Sequence, residues 1–184
     1  MKFQTIPSEY LSTCKIYLEF PTLERLEELE AAFNQFGKIH ECFISSQNRP
    51  KTTQQIRRYI EQSIADFKLK SGPYNFNVVH TETNRLVGFV GIQPRRLEIG
   101  YFQIGYWIAT HEMGNGYGSE ACRLATQICL HKLGAKRVEL EIAKSNGASQ
   151  IVARRNGYHF EACLRNRCIG ADGQIDDSFI YSMS

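Results

Sequence analysis

Apolar and polar residues alternate over residues 14–20 (CKIYLEF), the period of a half-buried strand. The period then changes. After Pro21-Thr22, Leu26, Leu29 and Phe33 recur at helical spacing, and Gly37 is placed to end that helix. Residues 38–51 are polar and read as a loop. Thr52 or Thr53 can cap a second helix, with Ile56, Ile60, Ile64 and Phe67 on one face and Ser71-Gly72-Pro73 as its stop. Residues 74–80 (YNFNVVH) alternate again, residues 81–84 make a turn, and residues 85–93 (RLVGFVGIQ) return as the hairpin partner. The run 99–109 is long, apolar and aromatic, the pattern of a central strand buried on both faces. Gly105 in its middle predicts a bulge or a close approach by another group.

Beyond three alternating glycines, Ala121, Leu124, Ala125, Ile128 and Cys129 mark an amphipathic helix ending near Gly134. Residues 137–143 (RVELEIA) predict a strand, and residues 145–156 a short helix closed by Gly157. From Tyr158 the chain is strand-like, turns at Gly170-Ala171-Asp172-Gly173, and ends in a strand at 176–183. No repeat and no linker interrupts the pattern, so residues 1–184 read as a single α/β domain.

Composition changes this picture little. The chain has 184 residues, 42% hydrophobic and 22% charged, with a formal net charge of +3. That balance gives no global case for nucleic-acid or membrane binding. The first residues lead into no apolar run of signal-peptide length, and no later segment is long enough to span a bilayer, so a cytoplasmic protein is expected. Cysteines stand at 14, 42, 122, 129, 163 and 168 without a C-x-x-C pair, and no histidine joins them at metal spacing. They are expected to be small buried hydrophobes in a reducing compartment, with no metal site.

The chemistry concentrates where residues 103–109 give way to Gly114, Gly116, Gly118 and a helix. A helix start offers unpaired N–H groups and the positive end of the dipole, and glycines let a charged ligand approach them. That makes an anion site, suited to a pyrophosphate. The spacing is neither the dinucleotide fingerprint G-x-G-x-x-G nor a Walker loop. On the glycines alone, a phosphate site and a turn that only starts a helix fit equally.

Further residues carry a resemblance. Met113-Gly114-Asn115-Gly116-Tyr117-Gly118 resembles the Q/R-x-x-G-x-G/A acetyl-CoA loop of the GNAT acetyltransferases. Tyr106-Trp107-Ile108, Ser119-Glu120-Ala121, Asn146-Gly147-Ala148-Ser149, Arg155-Asn156-Gly157-Tyr158, Leu164-Arg165, and Asp177 four residues before Tyr181 follow in the order typical of the RimJ/RimL-type branch. The resemblance implies an α/β (α+β) GNAT fold, with a mixed central sheet of about six to seven strands and helices on both faces. It implies acetyl-CoA as co-substrate. Residues 103–109 and 137–143 would be the two parallel strands that splay to admit the pantetheine arm. Backbone groups of Ile108 and Thr110 would pair with that arm, and an N–H near Ile108 would polarise the thioester. The pyrophosphate would rest on the N–H groups from Gly114 through Asn115, Gly116, Tyr117 and Gly118 to Ser119. Asn146 would bond the pantetheine arm, and Ser149 would donate to the departing sulfur; the alternative is that both only cap their helix.

Two positions depart from the family's pattern. Met113 stands where Arg or Gln is usual, which removes a side-chain contact but not the backbone site. Gln103 stands where many members carry a glutamate base, leaving it able only to position water. His111 reads as exposed, Glu98 as an exposed carboxylate with a base role in the acceptor cleft as its alternative, Arg154-Arg155 as a solvated helix face with phosphate contact as its alternative, and Tyr158 as core. The resemblance implies a peptide or protein N-terminal α-amine as acceptor, ribosomal proteins among them. A small-molecule amine is the first alternative and a non-catalytic acyl-CoA-binding module the second. A monomer or homodimer is expected.

Overall fold

The computed structural model describes residues 6–36, 40, 50–69, 72–170 and 172–184. Gly37, Cys42, Ser71, Ala171 and most of the loop 38–51 lie outside the described residues. Seven strands form one sheet: β1 (Ile16–Glu19), β2 (Tyr74–His80), β3 (Leu86–Arg96), β4 (Tyr101–Ile108), β5 (Arg137–Ala143), β6 (His159–Ile169) and β7 (Ile175–Met183). Their order is β1-β2-β3-β4-β5-β7-β6. Every neighbouring pair is antiparallel except β4 and β5, which run parallel. Four α-helices flank it among the described residues: α1 (Leu26–Asn34), α2 (Thr53–Leu69), α3 (Tyr117–Lys132) and α4 (Gly147–Arg155). This is the mixed GNAT architecture that the resemblance implies.

Alternation along β4 sends its side chains into two cores. Phe102 and Ile104 join Val138 and Leu140 under Ala121, Leu124, Ala125 and Ile128 of α3. Trp107 joins Phe89 under Leu29 and Phe33 of α1 and Ile56 and Ile60 of α2. Helices therefore cover both faces, and β4 is the element common to both cores.

Local chemistry sets the boundaries. Thr52, rather than Thr53, caps α2: its Oγ1 accepts the Gln55 N–H at 3.2 Å, and Gln55 Oε1 accepts the N–H groups of Lys51 and Thr52 at 2.8 and 3.2 Å. This reciprocal capping box satisfies donors that the first helical turn leaves free. β4 starts later than the apolar run suggests. Leu97–Ile99 is a 3-10 turn, and Gly100 at φ +67° turns the chain into the strand. Nor is Gly105 a bulge: it pairs in register with Gly91, and the irregularity falls between Pro94 and Arg96. Cys122 and Cys129 are fully buried on α3, but Cys14 and Cys163 are exposed, contrary to expectation. Cys14 precedes β1, and Cys163 lies on β6, an edge strand with little to cover it.

One irregularity of the sheet positions the site. β4 pairs with β5 only at Tyr101–Arg137, Phe102–Val138 and Gln103–Glu139. Past these pairs β4 stays with β3 as far as Ile108, while β5 stays with β7 as far as Ala143. The two parallel strands part between partners that hold each of them.

Candidate active site

The parted strands leave backbone groups facing a gap. Ala109 N–H bonds the Val87 carbonyl on β3 at 2.9 Å, so alternation turns the polar groups of Ile108 and Tyr106 toward the open side. A ligand chain with its own amides can pair there as a strand would. The Ile108 carbonyl already has one partner, His40, whose Nε2 lies 2.8 Å away. A carbonyl only accepts, so Nε2 carries the proton. The ring is buried and stacks on Phe36 at 4.3 Å between centroids.

The glycine loop lies at the end of this gap. Gly114 and Gly116 have φ of +84° and +85°, and α3 begins at Tyr117. Among the described residues, no acceptor takes the N–H groups of Gly114, Asn115, Gly116, Tyr117 or Gly118. The Ser119 N–H is spent inward, on the Gly116 carbonyl at 3.0 Å. Successive free N–H groups at a helix start are the donor set a pyrophosphate requires. Two cations flank them. Lys15 Nζ is 3.4 Å from the Asn115 carbonyl, and Arg155 borders the groove. The loop is braced from behind by Glu112, a buried carboxylate paired with Arg85 at 2.9 Å, and by Asn115 Nδ2, which donates to the Glu112 carbonyl at 3.1 Å.

The start of α4 forms the opposite wall. Asn146 Oδ1 accepts the Ser149 N–H at 3.0 Å, and Asn146 Nδ2 donates to Ser149 Oγ at 2.9 Å. Asn146 is thus the N-cap, and it fixes the Ser149 hydroxyl with its own proton free to donate. Across from it, the Tyr106 hydroxyl is buried beside Ser149 but makes no hydrogen bond of normal geometry among the described residues. Burial pushes this phenol well above its ordinary ionisation range.

The groove so formed encloses about 350 Å³. Ile108, Met113, Gly114, Gly116, Tyr117, Gly118 and Ser119 line one side of it, and Asn146 and Ser149 the other. Thr110, Asn115 and Gln103 are not lining residues. Thr110 sits in a 3-10 turn, its Oγ1 donating to the Gln35 carbonyl at 2.7 Å. Gln103 lies where the strands are still paired; its Oε1 accepts from Arg95 Nε at 2.7 Å and its Nε2 donates to Glu141 at 3.3 Å. Glu98 and His111 are exposed, the latter bonded to Gln35 at 2.8 Å. Tyr158 is core, its hydroxyl 2.6 Å from Thr126 Oγ1. The pair Arg154-Arg155 departs from a simple solvated face: Arg154 donates to the Tyr181 hydroxyl at 3.1 Å and Arg155 borders the groove. Lys15 and His40 were not marked out by the sequence pattern, since neither belongs to a local motif, and Tyr106 stood in the Tyr106-Trp107-Ile108 match without a role of its own.

A second cavity, of about 390 Å³, opens on the other face of the sheet. Tyr59, Phe89 and Trp107 give it aromatic walls, with Asp66 its one carboxylate among the described lining residues. Gly105 faces open space on this side, and a Cβ there would meet nothing within 4 Å. Tyr106 and Trp107 border both cavities, so the two spaces meet at β4.

A splayed parallel pair ending in an anion-binding glycine loop defines an acyl-CoA-dependent transferase. Residues 15–159 match the acetyltransferase (GNAT) domain family, and the chain belongs to that family. It is 25% identical over 169 residues to the "Uncharacterized N-acetyltransferase p20" of Bacillus licheniformis, covering 91% of this chain and 94% of that one. Among solved structures it resembles a "putative ribosomal-protein-serine acetyltransferase" from Vibrio cholerae, with 26% identity, a TM-score of 0.76 and coverage of 94% and 95%. It shares its fold with the microcin C7 self-immunity acetyltransferase MccE, solved in complex with acetyl-CoA and AMP, at 23% identity, a TM-score of 0.80 and 97% coverage of both chains. The protein is an acetyltransferase that takes its acetyl group from acetyl-CoA. Among the described residues no cluster of His, Cys, Asp or Glu could hold a metal ion, and no helix is long and apolar enough to cross a membrane.

Proposed function

We propose that this protein acetylates the α-amino group of a peptide or protein N-terminus, in the manner of the RimJ/RimL-type enzymes. One observation carries the choice of acceptor. The strand position that supplies a carboxylate base in many relatives holds Gln103, whose amide is occupied at both ends by Arg95 and Glu141. Glu141 is itself paired with Arg167 at 3.3 Å. An α-amine has a reference pKa of about 7.7–8.0 and a lysine side chain about 10.4. At pH 7 the neutral fraction is on the order of a tenth for the first and a few parts in ten thousand for the second. Without a strong base the site favours the amine that deprotonates on its own. The 26% identity to the Vibrio cholerae protein supports the same reading.

In this reading the five free N–H groups of the glycine loop hold the pyrophosphate, helped by Lys15 and Arg155. Ile108 and Asn146 hold the pantetheine arm, and Ser149 donates to the sulfur as it leaves. Ordered water carries the amine proton away, and Gln103, committed to Arg95 and Glu141, supplies no base. In the same reading residues 1–184 act as one domain, which the single sheet, with β7 between β5 and β6, supports.

The second cavity favours one alternative. Its aromatic walls and single Asp66 suit a compact small-molecule amine as well as a single N-terminal residue. Thiol release should be measured with two peptides of one sequence, one with a free N-terminus and no lysine, the other N-blocked with a single lysine, beside a panel of small amines. The free-N-terminus peptide is expected to react fastest. Faster acetylation of the blocked lysine peptide would overturn the α-amine reading, and a small amine outpacing both would establish the alternative.

A further inference from the structure

We propose that the Tyr106 hydroxyl is a second hydrogen-bond donor, beside Ser149, to the coenzyme sulfur as the acetyl group departs. The inference rests on reading the splayed strands as the thioester site. Three observations lead to it. Tyr106 lies on β4 where that strand has left β5, and its ring is fixed by close packing: a Cβ added to Gly118 would come within 3.3 Å of Tyr106 Cε2. Its hydroxyl is buried beside Ser149 and makes no hydrogen bond of normal geometry among the described residues. It also borders both the groove and the cavity that meet at β4.

The fold does not leave the comparable group in the same core unpaired. The hydroxyl of Tyr158, also buried, has Thr126 Oγ1 at 2.6 Å. A buried phenol without a partner is destabilising, and a native structure that keeps one calls for an explanation. A ligand atom entering between β4 and α4 supplies the missing partner. Ser149 presents its own free proton to the same space, because its oxygen already accepts from Asn146 Nδ2. Two donors thus converge from opposite walls, the arrangement that stabilises charge developing in a transition state. Burial keeps the Tyr106 phenol protonated at working pH, so it acts as a donor that does not ionise.

The step balances without a further reagent. The amine nitrogen forms a bond to the carbonyl carbon, the C–S bond breaks, and its electron pair stays on sulfur. The nitrogen loses one proton and the sulfur gains one, both through water. Tyr106 and Ser149 keep theirs throughout.

The test follows ionisation of the CoA thiol on the protein, through the ultraviolet absorbance of the thiolate across pH, with CoA binding checked by calorimetry. In the unmutated protein the bound thiol is expected to ionise at lower pH than free CoA. Tyr106→Phe, which removes one oxygen and keeps the ring, should move that ionisation back up by about one pH unit. Turnover should fall roughly tenfold, with acetyl-CoA affinity changed less than about twofold. Ser149→Ala should produce its own shift, and the double variant a larger one than either. If the Tyr106→Phe variant binds CoA and the bound thiol ionises at the same pH as in the unmutated protein, the proposal is overturned while the groove stands. If the unmutated protein binds no CoA, the groove reading falls and takes the proposal with it.

Discussion

At Gly116 the backbone φ is +85°, a conformation that a β-branched residue adopts only under strain. Gly116→Val would also put methyl groups among the free N–H groups of the loop. Acetyl-CoA binding measured by calorimetry should be lost, with unfolding stability lowered by about 1–3 kcal/mol. Unchanged affinity in the folded variant would refute the anion site. Asn146 and Ser149 divide their labour differently. Asn146→Ala removes an N-cap and the group that fixes Ser149, so stability should drop by about 1 kcal/mol and the acetyl-CoA KM should rise. Ser149→Ala should mainly lower kcat, since its donated bond strengthens only as charge reaches the sulfur. If kcat is unchanged, Ser149 is only part of the cap. These residues were legible in the sequence because glycines at a strand–helix junction and an Asn-x-x-Ser helix start are local signals. Lys15 and His40 were not. Lys15 reaches the loop from 100 positions away and His40 reaches Ile108 from 68 away, distances that no periodicity spans.

Elements were legible where the apolar period is long and its ends carry turn chemistry. β5 falls on residues 137–143 as the pattern predicts, and α3 begins at the glycine loop. The start of β4 was obscured because Leu97 and Ile99 continue an apolar run into a turn that leaves them exposed. Two seams between elements carry predictions of their own. Thr126 on α3 bonds both its own helix, through the Cys122 carbonyl at 2.7 Å, and Tyr158 beyond α4. Tyr158→Phe should therefore cost about 1 kcal/mol in chemical denaturation and leave turnover intact, because Thr126 keeps a partner. A large loss of kcat would make Tyr158 catalytic instead of structural. The second seam joins β7 to the approach to α4. Asp176 accepts the Ser145 N–H at 2.9 Å and Asp177 the Asn166 N–H at 3.1 Å. These backbone bonds hold the Asp176 and Asp177 carboxyls below the usual carboxylate range. A folded pKa depressed below the unfolded value, about 3.9, gives stability that is full above that value and is lost as pH falls through the folded one. Melting temperature should decline below about pH 4, and less steeply in Asp176→Asn. An identical acid limb in the variant would remove Asp176 from the account.

Over the whole molecule, the sheet is one surface with a break in it. β4 and β5 are each held by another neighbour, so the gap between them does not depend on a ligand to stay open. The glycine loop lies at one end of that break, and the aromatic cavity meets it from the other face. In the proposed reading cofactor and acceptor approach β4 from opposite faces of the sheet. The resemblance made this architecture legible, but the shape of the second cavity was not, because its walls come from α1, α2, β2, β3 and β4 together. Backbone amide hydrogen exchange with and without saturating acetyl-CoA tests the central claim most directly. Protection should rise at the amides of Tyr106 and Ile108 and across residues 114–118, while the β2–β3 hairpin is unchanged. Protection confined to other segments, or none at all at saturating acetyl-CoA, would contradict it.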